Sequence, residues 1–131
     1  MNNNLLEKLK SAEGPYKDLF LNTTDAVYVV DTNRKIVFWS KKAEEITGYK
    51  KEEMEGLQCF CTKLKHESLD GDELCTAFCP LVATIYDLKP RHSKVTFMHK
   101  DGHRELIMVN TYPIFLDDNV IGAFELFYKV D

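Results

Sequence analysis

The last third of the chain contains three long apolar runs separated by two short turn sequences. The runs are SKVTFMHK, RELIMVNTYPIF and VIGAFELFYKV, and the turns between them are KDGH and LDDN. β-Branched and aromatic residues at this density, bounded by Asp, Asn and Gly, predict three strands joined by hairpins. Large apolar residues fall on both faces of these strands. We therefore expect an antiparallel sheet that is covered on each side.

The first half of the chain adds two more strands and the helices. AVYVVD and RKIVFWS flank a TN turn, which is typical of a hairpin. Ser40 suits the N-cap of a short helix, and Gly48 suits its end. Pro80 suits the first position of a second helix, PLVATIYDLK, with Cys79 as its N-cap. The sequence thus predicts an α+β domain with one five-stranded antiparallel sheet and short helices on one face.

The N-terminal segment has a different pattern. Two groups of apolar residues at helical spacing are separated by Gly14 and Pro15, which predicts two short amphipathic helical pieces. The groups are Leu5, Leu6 and Leu9, followed by Tyr16, Leu19 and Phe20. We interpret residues 1–20 as a helical cap, able to pair with a second subunit, and residues 21–131 as the main domain.

Composition and charge exclude several classes of function. The 131 residues include 17 Lys and Arg against 21 Asp and Glu, a net charge of −4, and neither sign forms a long block. Nothing in this pattern indicates binding to nucleic acid or to an anionic membrane. The apolar runs are too short to span a bilayer, and the polar start MNNNLLEKLK lacks the apolar core of a signal peptide. We expect a cytoplasmic protein, where structural disulfides are rare.

Several motifs in register make the chain resemble a PAS sensory domain. The second half, HKDGHRELIMVNTYPIFLDDNVIGAFELF, is similar to the PAS pattern of a Lys-Asp-Gly turn, a long strand with a late proline and a glycine-containing last strand. The likeness extends over Leu19 to Asp131 and includes, in the first half, Asp25-Ala26, Asp31, Trp39-Ser40, Ala43-Glu44 and Thr47-Gly48-Tyr49.

This resemblance implies a signal-input module without catalysis of its own, with five strands around a small pocket. Such domains are usually dimeric and precede an effector, such as a histidine kinase of a two-component system, a diguanylate cyclase or a transcription regulator. We expect a homodimer and an effector beyond FYKVD. The alternative is a dimerisation scaffold with a packed interior. Residues that we expect to line a ligand pocket are Trp39, Phe97, Met108 and Tyr112.

All four cysteines lie in one segment, CFCTKLKHESLDGDELCTAFCPL, together with His66. The segment resembles that of a bacterial PAS subgroup with Cys, then His, then LC and CPL. Four thiolates, or three with the imidazole, satisfy tetrahedral zinc, and an iron-sulfur cluster also takes four thiolates. The Cys-x-Cys and Cys-x3-Cys spacings are not the usual zinc knuckles. The candidate metal ligands are Cys59, Cys61, Cys75, Cys79 and His66.

Two other interpretations of the cysteines stay open. Cys79 at the start of a helix should favour its thiolate, and Cys75 is near enough in sequence to act as a resolving partner in a redox switch. Cysteine is also often buried as a small apolar residue without any chemistry.

Flavin and haem rank below these options. GLQCF has some likeness to the motif of flavin-binding, light-sensing LOV domains, but Phe60 and Cys61 stand where those domains need Arg and Gln. The helix that carries the haem histidine in other PAS domains has none here. We interpret His92, His99 and His103, near strand ends, as exposed polar residues.

Overall fold

The computed structural model describes residues 23–59, 62–74 and 79–130. These residues form five strands and three helices in the order β, β, α, α, α, β, β, β. The strands are β1 (Ala26–Asp31), β2 (Ile36–Trp39), β3 (Arg91–Met98), β4 (Arg104–Leu116) and β5 (Asn119–Lys129), and the helices are α1 (Lys41–Thr47), α2 (Lys51–Met54) and α3 (Pro80–Asp87). The predicted cap at residues 1–20 lies outside the described residues.

The five strands form one antiparallel sheet in the order β2-β1-β5-β4-β3. The strand pairs β1–β2, β3–β4 and β4–β5 are hairpins, β1 also pairs with β5, and β2 and β3 are the two edges. The first and last strands are therefore neighbours near the centre of the sheet. This confirms the predicted α+β architecture and brings side chains from opposite ends of the chain together.

Both faces of the sheet carry buried apolar side chains, as the sequence predicts. The inner face packs against the helices through a cluster that includes Trp39, Ala43, Met54, Leu81 and Phe97. The outer face holds a second cluster, formed by Val27, Val29, Val37, Ile114 and Phe124. The alternation of side chains along each strand assigns every position to one face or the other.

Capping interactions fix the helices at the predicted residues. The Ser40 hydroxyl accepts hydrogen bonds from the N–H groups of Ala43 (3.2 Å) and Val27 (3.0 Å), which ties α1 to β1. Gly48 ends α1 with a φ of 83°, and a Cβ there would lie 2.9 Å from Cε1 of His99. Glycine is therefore required where the β3–β4 turn packs against the end of α1. No helix within the described ranges is long and apolar enough to cross a membrane.

Candidate functional site

Five polar or thiol side chains meet on the inner face of the sheet, in a region otherwise filled by apolar residues. We call them the interior cluster: Tyr28, Cys59, His66, Cys79 and Glu125. Tyr28 on β1 lies directly opposite Glu125 on β5 in the strand register. These two residues are only 2% and 4% exposed. A carboxyl group is thus buried at the centre of the sheet.

Glu125 has a partner for only part of its carboxyl group. The Tyr28 hydroxyl donates a hydrogen bond to it. Its Oε2 atom is buried and has no hydrogen-bond partner among the residues that the structure describes. Nε2 of His66 lies 3.7 Å from this oxygen. Burying a polar atom without a partner costs stability, which makes this oxygen a candidate binding group.

A small cavity lies beside this oxygen. Its volume is about 10 Å³, close to the space that one water molecule needs. The cavity is therefore large enough for a water molecule or an ion. Three of its lining residues carry donor atoms and the others are mainly apolar; the set is His66, Leu74, Cys79, Pro80, Val95, Val109 and Glu125.

The loop that carries His66 is held firmly against β3. Glu67 and Thr96 exchange two backbone hydrogen bonds of 3.0 and 2.9 Å, and the Met98 N–H donates to the Leu64 carbonyl at 2.7 Å. Arg104 adds an ion pair to Glu67 at 2.8 Å. These contacts fix the backbone on both sides of His66 and direct its imidazole toward the inner face of the sheet.

Burial shifts both titratable groups at the cavity toward their neutral forms. It lowers the pKa of His66 to about 4, and the nearby Arg104 guanidinium acts in the same direction. Burial also raises the pKa of Glu125 to about 7, against the opposing hydrogen bond from Tyr28. Between about pH 4 and pH 7 both side chains are uncharged, so they do not form an ion pair. A neutral imidazole has a free nitrogen lone pair, which is the form that binds metal.

The two described cysteines are buried thiols. Cys59 receives a hydrogen bond from Nε of Arg34 at 3.3 Å, yet burial raises its pKa to about 12. Cys79 is the N-cap of α3, as predicted. Burial raises its pKa as well, although the N–H groups of Val82 and Leu81 act in the opposite direction. The amides at the helix start thus act in the predicted direction, but desolvation outweighs them, so the net shift of the Cys79 pKa favours the neutral thiol.

Two of the five predicted metal ligands, His66 and Cys79, line one cavity, and Cys59 lies on the same inner face, but these three donor atoms do not all lie within 4.8 Å of one another. Cys59, His66 and Cys79 belong to the interior cluster, whereas Cys61 and Cys75 lie outside the described residues. Metal binding itself stays a prediction. Sequence reasoning missed Glu125, although a signal was present. It is the single acidic residue in the run VIGAFELFYKV, and it lies two residues from both Ala123 and Phe127 on the buried face.

The four predicted ligand-pocket residues do not line a common pocket. Trp39 and Phe97 are buried in the inner core. Tyr112 packs on the outer face, where it stacks on Phe124 with ring centroids 5.1 Å apart. Met108 alternates with buried Val109 on β4 and so also faces outward. The sheet separates the two pairs.

Comparison with known proteins gives the family. The profile described as PAS domain matches residues 24–127. The PAS domain of a Colwellia psychrerythraea protein is 24% identical, with a TM-score of 0.68, over 86% of this chain and 92% of that one. The light-state dimer of the fungal blue-light photoreceptor Vivid is 17% identical (TM-score 0.66; 91% and 84% covered). A light-oxygen-voltage domain studied with a flavin analogue is 16% identical (TM-score 0.68; 88% and 84% covered). No curated protein matches the chain at a significant level.

Proposed function

Because this chain belongs to the PAS domain family, a family of sensory modules, we propose that it is the signal-input domain of a signal-transduction protein. We further propose that its signal is a metal ion bound at the interior cluster. The domain itself is not an enzyme in this proposal. It acts on an attached effector, such as a histidine kinase, a diguanylate cyclase or a transcription regulator, in the cytoplasm.

The observation that supports this proposal is the buried Oε2 atom of Glu125, which lacks a partner within the described part of the chain. A cation beside it removes the cost of burying that oxygen unpaired. A packed interior alone does not require a carboxyl group at this position, because an apolar residue of similar size avoids the cost of burying an unpaired oxygen.

The types of donor group at the cavity are those that bind zinc or a similar borderline ion, and because the three donor atoms do not all lie within 4.8 Å of one another, binding here requires side-chain movement. One imidazole, one carboxyl group and one thiol line it, and all three are zinc ligands. Two bonds of about 2 Å at a tetrahedral angle hold their ligand atoms roughly 3.3 Å apart. The 3.7 Å between Nε2 of His66 and Oε2 of Glu125 is close to this distance. Cys79 is one of the groups that raise the pKa of the Cys59 thiol, and Cys59 is a candidate fourth ligand. A single ion fits about 10 Å³, whereas an iron-sulfur cluster needs more space.

The position of Glu125 on β5 suggests how binding reaches an effector. β5 is the last strand, and it lies between β1 and β4. A metal ion that draws the carboxylate toward His66 favours one position of β5 over another and so shifts the equilibrium between two states of the domain. Such a shift transmits a signal only if the ion binds one state more tightly than the other.

Flavin is the main competing cofactor, because one of the similar structures is a domain studied with a flavin analogue. The inner face argues against it here. Ile107, Val109 and Phe127 are buried there and offer no hydrogen-bonding group to a flavin ring. The cavity is also far smaller than the roughly 300 Å³ of small-molecule sites. A thiol switch is disfavoured for a different reason, because burial raises the pKa of both Cys59 and Cys79.

We also propose that the domain is a homodimer, as one of the similar photoreceptors is in its light state. The alternative function is a dimerisation scaffold with no signal of its own. The scaffold predicts that metal ions bind nowhere in the interior. It also predicts that changes at Glu125 alter stability alone.

Cobalt titration tests the proposed site directly. Co²⁺ added to metal-free protein without an affinity tag should give a thiolate charge-transfer band, because Cys79 loses its proton when it binds. Glu125→Gln should weaken this binding by at least about 10-fold, because it removes a proposed ligand and even groups that only orient a ligand typically contribute 10–100-fold. Glu45→Gln is the matched control, since it removes the same charge at an exposed helix position. A wild-type protein without the band, or a Glu125→Gln variant that binds as tightly, would contradict the proposal.

A further inference from the structure

A second group of metal-binding side chains lies at the turn between β3 and β4. We call His99, Asp101 and His103 the hairpin triad. The His99 N–H donates to the His103 carbonyl at 2.8 Å, and the Gly102 N–H donates to the His99 carbonyl at 2.9 Å. This tight turn, with Gly102 at a φ of 100°, holds both histidines on one side. Their rings stack with centroids 4.7 Å apart and planes 15° from parallel.

The carboxylate of Asp101 lies at both imidazoles. Its Oδ1 atom is 3.3 Å from Nδ1 of His99 and is hydrogen-bonded to Nδ1 of His103. One donor atom from each of the three residues lies within 4.8 Å of the other two. Glu105, two residues further along β4, places its Oε2 atom 3.2 Å from Nε2 of His103. Four groups with metal-binding atoms are thus grouped around one turn.

We propose that the hairpin triad is a binding site for one divalent transition ion, of the class of Zn²⁺ or Ni²⁺, with His99, Asp101 and His103 as ligands. Imidazole and carboxylate donors suit these ions. Ligands of a single ion with bonds of about 2 Å stand roughly 3–4 Å apart. The 3.3 Å between Asp101 and His99 falls in this range, and the three donor atoms all lie within 4.8 Å, so small side-chain adjustments give the spacing of ligands. When Nδ1 of a neutral His103 binds the ion, the ring proton is carried on Nε2, where Oε2 of Glu105 at 3.2 Å can accept its hydrogen bond. Water completes the coordination on the exposed side.

The turn is already held in place before any ion binds. The Lys100 N–H donates to the Thr47 carbonyl at 3.0 Å, and Nζ of Lys100 pairs with Glu53 at 2.9 Å. His99 packs against Gly48 at the end of α1. Since the backbone of the triad is fixed to α1 and α2, binding needs only side-chain adjustment, which lowers its entropic cost.

Spectroscopy separates this site from the interior cluster. The hairpin triad contains no thiol, so a bound Co²⁺ or Ni²⁺ ion gives only weak ligand-field bands without thiolate charge transfer. The interior cluster contains Cys59 and Cys79, so an ion bound there should give the thiolate charge-transfer band. The inference therefore does not depend on the proposed function, and either site can fail without the other.

Calorimetric titration with Ni²⁺, on protein without an affinity tag, tests the hairpin triad. We expect His103→Ala and Asp101→Asn each to weaken one binding step by about 10-fold or more, and to leave the thiolate band obtained with Co²⁺ unchanged. His92→Ala is the control, because His92 is an exposed β3 histidine that pairs with Asn110 rather than with the triad. We expect it to bind Ni²⁺ like the wild type.

Three results would overturn the inference. The wild type could bind no Ni²⁺ outside the interior cluster, both triad variants could bind it as tightly as the wild type, or His92→Ala could weaken it equally. Because His103 and Asp101 are exposed, neither substitution is expected to unfold the domain, and a circular dichroism melt verifies this.

Discussion

Glu125→Gln is expected to gain about 3 kcal/mol of stability relative to the wild type as the pH rises from 4.5 to 7. Burial raises the pKa of Glu125 from its ordinary value of 4.5 to about 7 in the folded protein. Across this interval the folded state holds a proton that the unfolded state has released. The wild type therefore loses stability as the pH rises, and glutamine does not titrate. Chemical denaturation between about pH 4 and pH 8, with a chelator present, measures this difference.

His66→Gln is the complementary variant: its stability relative to the wild type should change with pH in the opposite direction. Burial lowers the pKa of His66 from 6.5 to about 4, so the unfolded state binds a proton in this interval and the folded state does not. The wild type gains stability from this group as the pH rises, and the variant lacks that gain. We expect the stability of His66→Gln relative to the wild type to fall by about 3 kcal/mol between pH 4 and 6.5.

In the wild type, Glu125 and His66 together should change the stability little with pH, because their opposite pH dependences nearly cancel. The single variants expose each one separately. If the free energy of unfolding of both variants differs from that of the wild type by the same amount at every pH, Glu125 and His66 do not have the shifted pKa values given above. The two side chains would then not form a neutral pair.

Trp39→Ala is expected to destabilise the domain by about 3–5 kcal/mol, a large part of the total stability of a domain of this size. Trp39 is 2% exposed, and its Nε1–H donates to the Tyr49 carbonyl at 3.0 Å. Its ring also packs beside that of Tyr28, with centroids 5.3 Å apart. Alanine removes all three contributions and leaves a cavity. Equilibrium unfolding in urea measures the loss.

Trp39→Phe is the matched control for this change. It keeps an aromatic ring in the core and removes the hydrogen bond to Tyr49, so we expect a smaller loss, of about 1–2 kcal/mol. A loss below about 1 kcal/mol for Trp39→Ala would mean that Trp39 lines a site able to accept other groups rather than the packed core.

Local sequence patterns predict the elements of this fold well, because their causes are local. Ser40 caps α1 through an amide three residues away, Gly48 supplies the left-handed conformation that ends α1, and Pro80 begins α3. The faces of the strands are harder to assign. Since both sides of the sheet are buried, alternation alone did not reveal that Met108 and Tyr112 face away from Trp39.

The interior cluster depends on topology, which local patterns do not contain. Tyr28 and Glu125 meet because β1 pairs with β5, and His66 reaches them because its loop pairs with β3. The thiol of Cys79 shows the same limit. Its position at a helix start was readable from the sequence, but its burial, which raises its pKa, was not.

The most direct test of the metal-sensing proposal is the metal content of protein purified without oxygen and without a metal affinity column, measured beside its visible absorption. We predict about one zinc-class ion per chain once a weak chelator has removed any ion from the exposed hairpin triad, no flavin or haem band, and loss of the remaining ion in Glu125→Gln. Protein that contains no metal, takes up none when zinc is supplied, and keeps all four thiols reactive would contradict the proposal.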